Sequence, residues 1–438
     1  MERERGSRIK TLIVSSHGLR KNRPDGVTNV IRESKHYLEE RNMQIKLVGP
    51  NIPDKENNLA DRTLGKRIRV SINNTHFEVS FIYNRGKAKA RQLLLEENPD
   101  LVVMHQPVAG NVAHALMTGD KEGKTCFVGY FHAQSEDLDM LSKALYFASQ
   151  FLRRPTFDAS ILPIKLTPGF GNTINKGLDG RVAVSKAVAN FWNQYSPGDY
   201  EVIYNGIDTD DRFTKEGPIM EEWKKDDSKK IVFAAARFDE RKRLDDFLRA
   251  MHILFYEYGM KDILGKIAGD GKMKKELIAL NRQLGLDRIV EFVGILPDAD
   301  LPKAYRTADV FVSPVEGREG FGLTLAEAMA CGTLPVGSNV AGYNEVIGGD
   351  LPFAWMTKPR DPRDVAEKTK EVLELSPEER ANRGKLAAEY VKSRFSASEM
   401  ADHQAGYFER CLAVKSEKVA ERRRLQEKLP PSGTIYTK

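Results

Sequence analysis

The 438-residue chain has three cysteines, three tryptophans and no long apolar run. Each shortage excludes something. Cys126, Cys331 and Cys411 are odd in number and far apart, so they offer neither a disulfide framework nor a metal knuckle and read as packing residues in a reducing compartment. The most apolar stretches, residues 101–104, 231–236 and 310–312, fall far short of the ~20 residues of a spanning helix, so no transmembrane segment is expected. The opening Met1-Glu-Arg-Glu-Arg5 is charged and lacks the apolar core and cleavage site of a signal peptide, which points to a cytoplasmic protein. An excess of one charge is also missing: 68 basic against 62 acidic residues leave a net +6 on a mixed surface. That balance permits weak attraction to anionic lipid or phosphorylated substrates. No zinc-finger spacing or aromatic-and-glycine RNA-binding signature accompanies it, so nucleic acid is not an expected partner.

What is present is a globular balance, with 41% hydrophobic and 30% charged residues. The length exceeds the ~250 to 300 residues at which a single core stops growing, so two domains are expected. Strand and helix patterns alternate in both halves. Residues 11–15 read as a strand, Val27, Val30, Ile31, Ser34 and Leu38 form one helical stripe, and 44–48 read as the next strand. Asn73-Asn74 between 69–72 and 75–82 predicts a hairpin appended to a parallel sheet, with further strands at 101–104 and 126–130. The alternation restarts with strands at 230–234, 263–268, 289–293, 310–313 and 334–336. The fold class is therefore α/β with two doubly wound sheets. The expected organisation is an N-terminal domain over 1–213, a linker over 214–228 carrying Gly217-Pro218 and many charges, and a second domain over 229–393. Helices over 394–428 are expected to pack back on the first domain, followed by a loose tail over 429–438. Ser376-x-x-Glu379 and Ser396-x-x-Glu399 have capping-box spacing, which places helix starts there.

Ligands of open sheets bind beyond the carboxyl ends of the strands, and the chemistry-bearing segments fall in such loops. Ser313-Pro-Val-Glu-Gly-Arg-Glu319-Gly-Phe-Gly322 follows a strand and opens a helix. Gly317, Gly320 and Gly322 permit close backbone approach, and the amides of the helix start make an anion site suited to a diphosphate. Glu319 before the helix and Glu327 within it can address different parts of one extended ligand as acceptors for hydroxyl groups. After another strand, Ala236-Arg237-Phe-Asp-Glu-Arg-Lys242 brings a guanidinium and an ammonium onto one loop, which can neutralise the charge growing on a departing diphosphate. Alone, the first segment also fits a structural turn and the second a charged surface. Together they point to a bound nucleotide.

Glu319-x7-Glu327, Arg237-x4-Lys242, Gly269-Asp-Gly271 and Tyr204-Asn-Gly-Ile-Asp208 ending in Phe213 resemble, over most of the chain, the large retaining glycosyltransferase family 4 of GT-B fold. Asp25-Gly26-Val27, His105-Gln-Pro107 and Phe131-His132-Ala133 are most similar to its phosphatidylinositol mannosyltransferase group. The resemblance implies two Rossmann-like domains facing across a cleft, the first binding an acceptor and the second a nucleotide-sugar donor. It assigns Glu319 to hydroxyls of the donor sugar, Glu327 to the ribose, and Arg237 with Lys242 to the phosphates. Gly320, Phe321, Gly322 and Leu323 complete the sugar and phosphate contacts, Gly26 lets the first domain approach the donor phosphate, and His132 sits at the sugar's reacting face. His132, Arg237, Lys242 and Glu319 are then the catalytic set. Departures are Asp25-Gly26 where the family often has paired glycines and Arg243 where glycine often follows the loop lysine. Glu316 competes with Glu319 for the first acidic role, but Glu319 has the family's spacing to Glu327.

The family is expected to work without a cofactor or divalent metal, the diphosphate being stabilised by Arg237, Lys242 and the helix start. Asp208-Thr-Asp-Asp211 resembles a metal-binding triplet but lies in the family's structural Asn-Gly-x-Asp stretch, and no metal is assigned to it. For the acceptor, Leu138, Leu141, Leu145, Ala148 and Leu152, with Phe147, Phe151 and Arg153-Arg154, form a stripe that fits either a core-facing helix or one resting peripherally on an anionic membrane. The segment 161–170 would extend the latter contact towards a lipid acceptor such as a phosphatidylinositol. The expected reaction moves a hexose from a nucleotide-sugar, GDP-mannose or a UDP-sugar, to a hydroxyl acceptor; a glycosyltransferase acting on a soluble sugar, a sugar-nucleotide epimerase, and a non-catalytic binding subunit are the rival readings.

Overall fold

The computed structural model describes residues 8–15, 19, 26–51, 56, 58–72, 75–81, 86–106, 112–132, 176–224, 226, 228–317 and 319–427. Asp25, the Asn73-Asn74 turn, the stripe over 138–154, the segment 161–170 and the tail over 429–438 lie outside the described residues.

The first sheet is built from β1 (Ile9–Ser15), β2 (Met43–Asn51), β3 (Arg62–Ile72), β4 (Thr75–Phe81), β5 (Leu101–His105), β6 (Cys126–Phe131), β7 (Gly180–Ala183) and β8 (Glu201–Val202). Their order is β4-β3-β2-β1-β5-β6-β7-β8. The described pairings are parallel apart from the β3–β4 hairpin. Every residue of β5 and β6 is buried, as central strands of a parallel sheet covered on both faces require. Helix α1 (Gly26–Glu40) turns Val30, Ile31, Ser34 and Leu38 inward. On the rest of this domain α2 (Gly86–Glu97) packs with α3 (Val112–Gly119), and α4 (Lys186–Tyr195) follows β7.

The second sheet holds β9 (Lys230–Ala235), β10 (Ile263–Ala268), β11 (Val290–Gly294), β12 (Val310–Ser313), β13 (Pro335–Ser338) and β14 (Trp355–Thr357), ordered β11-β10-β9-β12-β13-β14. All its pairings are parallel. Its described α-helices are α5 (Leu244–His252), α6 (Lys274–Gln283), α7 (Leu301–Thr307), α8 (Leu323–Ala330), α9 (Ala341–Ile347), α10 (Pro362–Leu373) and α11 (Pro377–Phe395). Strand order reverses between β1 and β5 in one sheet and between β9 and β12 in the other, which is where open α/β sheets hold ligands.

Several elements differ from the sequence reading. β3 begins at Arg62 because its first residues pair with β2 before the hairpin starts. β7, β8 and β14 are edge-ward strands of 4, 2 and 3 residues, too short to show a period. The charged segment 214–228 is strapped to the second domain: Met220 and Trp223 are buried, and Arg306 donates to the carbonyls of Thr214 and Pro218 at 2.9 and 2.8 Å.

Ser376 and Glu379 form the full capping box at the start of α11. The last helix, α12 (Ala397–Glu427), starts where Ser396 Oγ accepts from the Glu399 amide and then crosses back to the first domain. There Gln404 Nε2 donates to Ser34 and to Tyr130, each at 3.0 Å, and Lys415 pairs with Asp179 at 2.9 Å. Both crossings between the domains lie side by side: the Ile207 amide donates to the Phe395 carbonyl, and the Ala397 amide to that of Ile207. Among the described residues no helix is long and apolar enough to cross a membrane.

Candidate active site

Two loops at the second sheet's strand-order reversal carry the charged residues. The first leaves β9 and bears Arg237 and Lys242; the second leaves β12 and bears Glu319 before entering α8. The first loop leans on Gly269 and Gly271, which follow β10. A Cβ on Gly269 would stand 1.9 Å from the Ala236 carbonyl oxygen and one on Gly271 2.5 Å from that of Phe238, so this close approach requires glycine. The two loops are then joined by the Glu316 amide, which donates to the Arg241 carbonyl at 2.9 Å.

Across that junction Lys242 Nζ donates to Glu319 Oε1 at 2.7 Å. Burial works to lower the Lys242 pKa, but the Glu319 carboxylate, with Tyr343 and Asp239 beside it, outweighs burial and holds it above the ordinary lysine value. The ammonium therefore stays charged at any physiological pH. Glu316, the rival acid, instead pairs with Arg360. Arg237 is on the same loop but its guanidinium is largely exposed and pairs with Asp239 at 2.9 Å, not with Glu319.

Gly322 caps α8 with φ of 119°, and a Cβ there would meet the Tyr343 ring at 2.9 Å. A glycine cap brings no side chain to the first amides of α8, and no side-chain cap bond is made. Those amides and the helix dipole favour an anion in front of Leu323. Phe321 is buried against Tyr204 and Phe395 at the domain crossing. Facing this helix start from the first domain is the start of α1: a Cβ on Gly26 would stand 3.2 Å from Leu323 Cδ1. The first domain also grips the loop itself, since Ser185 Oγ donates to the Gly320 carbonyl at 2.6 Å. Glu345 at α9 accepts from the Lys186 and Ala187 amides at 2.8 and 2.7 Å, so an acidic side chain of one domain caps a helix of the other.

Glu327, one turn into α8, is buried and accepts from the Tyr305 hydroxyl at 3.0 Å. Burial pushes its carboxyl up to about 7, against the pull of the Arg212 guanidinium and the Tyr305 hydroxyl. Arg212 is held by Asp298 at 2.9 Å, and Asp298 also takes Arg32 of α1 at 3.1 Å.

In the first domain, His132 follows β6 and is buried beside His105 at the end of β5. Their rings stack with Tyr130, and His105 Nδ1 lies 2.7 Å from His132 Nε2, so one ring donates and the other accepts. Gln106 beside them has φ of 52° and a buried amide oxygen without a partner among the described residues. Strain and an unpaired buried group at one residue are features of functional sites.

The structure thus brings Lys242, Glu319, Gly320, Phe321, Gly322, Leu323 and Gly26 to one junction, with Glu327 farther into α8 and Arg237 at the exposed end of its loop. Asp208 accepts from the amides of Asp210 and Asp211, and Asp210 pairs with Lys392. Among the described residues no three His, Cys, Asp or Glu are grouped to hold a metal ion. Sequence reasoning missed Ser185, Glu345 and Tyr305. Ser185, an N-cap serine before the apolar spacing of Val188 and Trp192, carried a readable signal; the other two contacts are set by the fold.

Residues 24–211 match the family model Glycosyltransferase Family 4, and residues 216–390 match Glycosyl transferases group 1. The chain belongs to these glycosyltransferases. It is similar to a glycosyltransferase of Methanocaldococcus jannaschii, 34% identical over 177 residues that cover 38% of this chain and 43% of that relative. It is also similar to the phosphatidyl-myo-inositol mannosyltransferase of Propionibacterium freudenreichii, 25% identical over 75% of this chain and 77% of the relative. Among solved structures, a glycosyltransferase from Rickettsia africae superposes with a TM-score of 0.68 at 17% identity, covering 92% of this chain and 99% of its own. An Anabaena protein, HepE, solved with UDP and glucose, gives 0.64 at 17% identity over 92% and 99%. The glycosyltransferase assignment makes the enzyme one that moves a sugar from a nucleotide sugar, on the two Rossmann-like domains of the GT-B fold.

Proposed function

We propose that this glycosyltransferase is a retaining hexosyltransferase that moves mannose or a related hexose from a GDP- or UDP-sugar to a hydroxyl of a phosphatidylinositol-type lipid. The observation that carries the donor half is the Lys242–Glu319 ion pair in front of an α8 start that has no side-chain cap. On this reading the donor's diphosphate lies before α8, between Lys242, Arg237 and the helix amides, while Glu319 accepts from the sugar hydroxyls and Glu327 from the ribose. His132 faces the sugar's reacting carbon, and Gly26 closes on the phosphates from the first domain.

The acceptor half rests on the likeness to the phosphatidyl-myo-inositol mannosyltransferases across three quarters of the chain. Peripheral contact with the inner face of an anionic membrane follows from a lipid acceptor. A second reading, a soluble acceptor, has its own support: 28% identity over 53% of this chain to the N-acetyl-alpha-D-glucosaminyl L-malate synthase of Bacillus anthracis, whose name carries L-malate.

The test is nucleoside diphosphate release from UDP-, GDP- and ADP-sugars with phosphatidylinositol vesicles or soluble acceptors, comparing the native enzyme with Glu319→Ala. Vesicle-dependent release that Glu319→Ala abolishes is the expected result. Release stimulated only by soluble acceptors selects the second reading, and binding of donor without release overturns both.

A further inference from the structure

Tyr305 is fully buried in α7 among Phe233, Phe311 and Phe213, with ring centroids 5.6, 5.2 and 6.3 Å away. Its backbone is fixed too, since Thr333 Oγ1 donates to the Tyr305 carbonyl at 2.5 Å. A phenylalanine would fill this aromatic cluster equally well. The hydroxyl is the part that packing does not need, and its described partner is Glu327 Oε2 at 3.0 Å. Taking a phenol and a carboxyl together out of water is costly unless each satisfies the other.

The other groups around Glu327 hold it less specifically. Arg212 acts on it through charge and is itself engaged by the Asp298 carboxylate at 2.9 Å. Asp298 opposes the ionised form, and Cys331 lies one turn along α8 with its thiol pKa pushed up to about 12 by burial. Tyr305 is therefore the group that sets where the carboxylate oxygens point.

We propose that Tyr305 is a positioning residue: its hydroxyl pins Oε2 of Glu327 so that Oε1 is left to accept from the adjacent hydroxyls of the donor's ribose. This rests on the reading of Glu327 as the ribose acceptor. The hydroxyl selects for ribose over deoxyribose through Glu327, and it favours the ionised carboxylate that the diol requires, so it also sets the lower pH limit of donor binding.

The experiment measures binding of UDP, GDP and their 2′-deoxy forms from pH 5.5 to 9, together with kcat and KM for the matching nucleotide sugar. It compares the full-length native protein with Tyr305→Phe, Tyr305→difluorotyrosine and Glu327→Ala. Tyr305→Phe is expected to weaken the ribonucleotide by about tenfold and the deoxynucleotide less, through KM more than kcat, and to move the acid limb of binding to higher pH. Difluorotyrosine, a stronger donor of nearly the same shape, is expected to move that limb to lower pH, which a merely structural role would not do. If Glu327→Ala abolishes ribose selectivity while both tyrosine variants leave selectivity and the acid limb unchanged, the positioning role is overturned. If Glu327→Ala leaves the ribose-to-deoxyribose ratio unchanged, the ribose reading of Glu327 falls and the proposal with it.

Discussion

The two sheets of this enzyme each reverse their strand order at one point and differ in how their cleft residues are held. At the second sheet one ion pair and two hydrogen bonds tie separate elements together: Lys242 on Glu319, the Glu316 amide on the Arg241 carbonyl, Tyr305 on Glu327. At the first sheet it is a stack of rings, Tyr130, His105 and His132, next to a strained Gln106. A charged leaving group is stabilised best by charges and amides fixed before it arrives, because no reorganisation is then needed at the moment of reaction. The second sheet is built that way. The first supplies flat, polarisable surfaces and a hydrogen bond between His105 and His132 whose direction depends on a tautomer.

The comparison can be broken most decisively at its ionic end. Glu319→Ala is expected to lower transfer by about 10² to 10³-fold while leaving the fold intact, measured as kcat for nucleoside diphosphate release; a loss under tenfold would remove the claim that the charged set carries the chemistry. Next comes Glu327, whose carboxyl is held at about 7 in the folded chain against 4.5 ordinarily. The folded state then binds this proton more tightly than the unfolded one, so its contribution to stability is full below about pH 4.5 and is lost as pH rises through about 7, a difference on the order of 3 kcal/mol. Glu327→Gln is expected to raise the melting temperature at pH 8 and not at pH 5, as read by thermal denaturation, while weakening donor binding. A smaller effect is expected in the ring stack. His105→Phe keeps the stacking and removes the bond to His132, and should reduce transfer by about fivefold to tenfold with donor affinity unchanged. The mildest change is Ser185→Ala, which removes both the α4 cap and the bond to Gly320. It should cost about 1 kcal/mol in a denaturant melt and raise the donor KM.

Both doubly wound sheets were legible because parallel strands buried on two faces write continuous apolar runs, as Leu101-Val-Val-Met104 and Val310-Phe-Val312 do. The glycine-rich loop after β12 was legible because a single contiguous segment supplies the glycines, Glu319 and the start of α8. The structure then separated Glu316 from Glu319 by giving the former Arg360 as its partner. What stayed hidden was non-local. Glu345 meets α4 from 158 residues away and Ser185 meets Gly320 from 135, and nothing in either local pattern states the partner. Tyr305 was hidden differently: 22 residues before Glu327, it lies on a helix whose other buried residues are ordinary packing.

The side-by-side crossings at Ile207 and Ser396 give the molecule an order of assembly. The second domain is, in effect, inserted into the first: both of its ends leave from one spot, and α12 returns to cover Ser34 and Tyr130. As the polypeptide emerges from the ribosome, the strands of the first sheet are all made before the helix that seals them, and the whole second domain is synthesised in between. The inserted domain can reach its native state first, so that the part of the enzyme begun earliest is completed last.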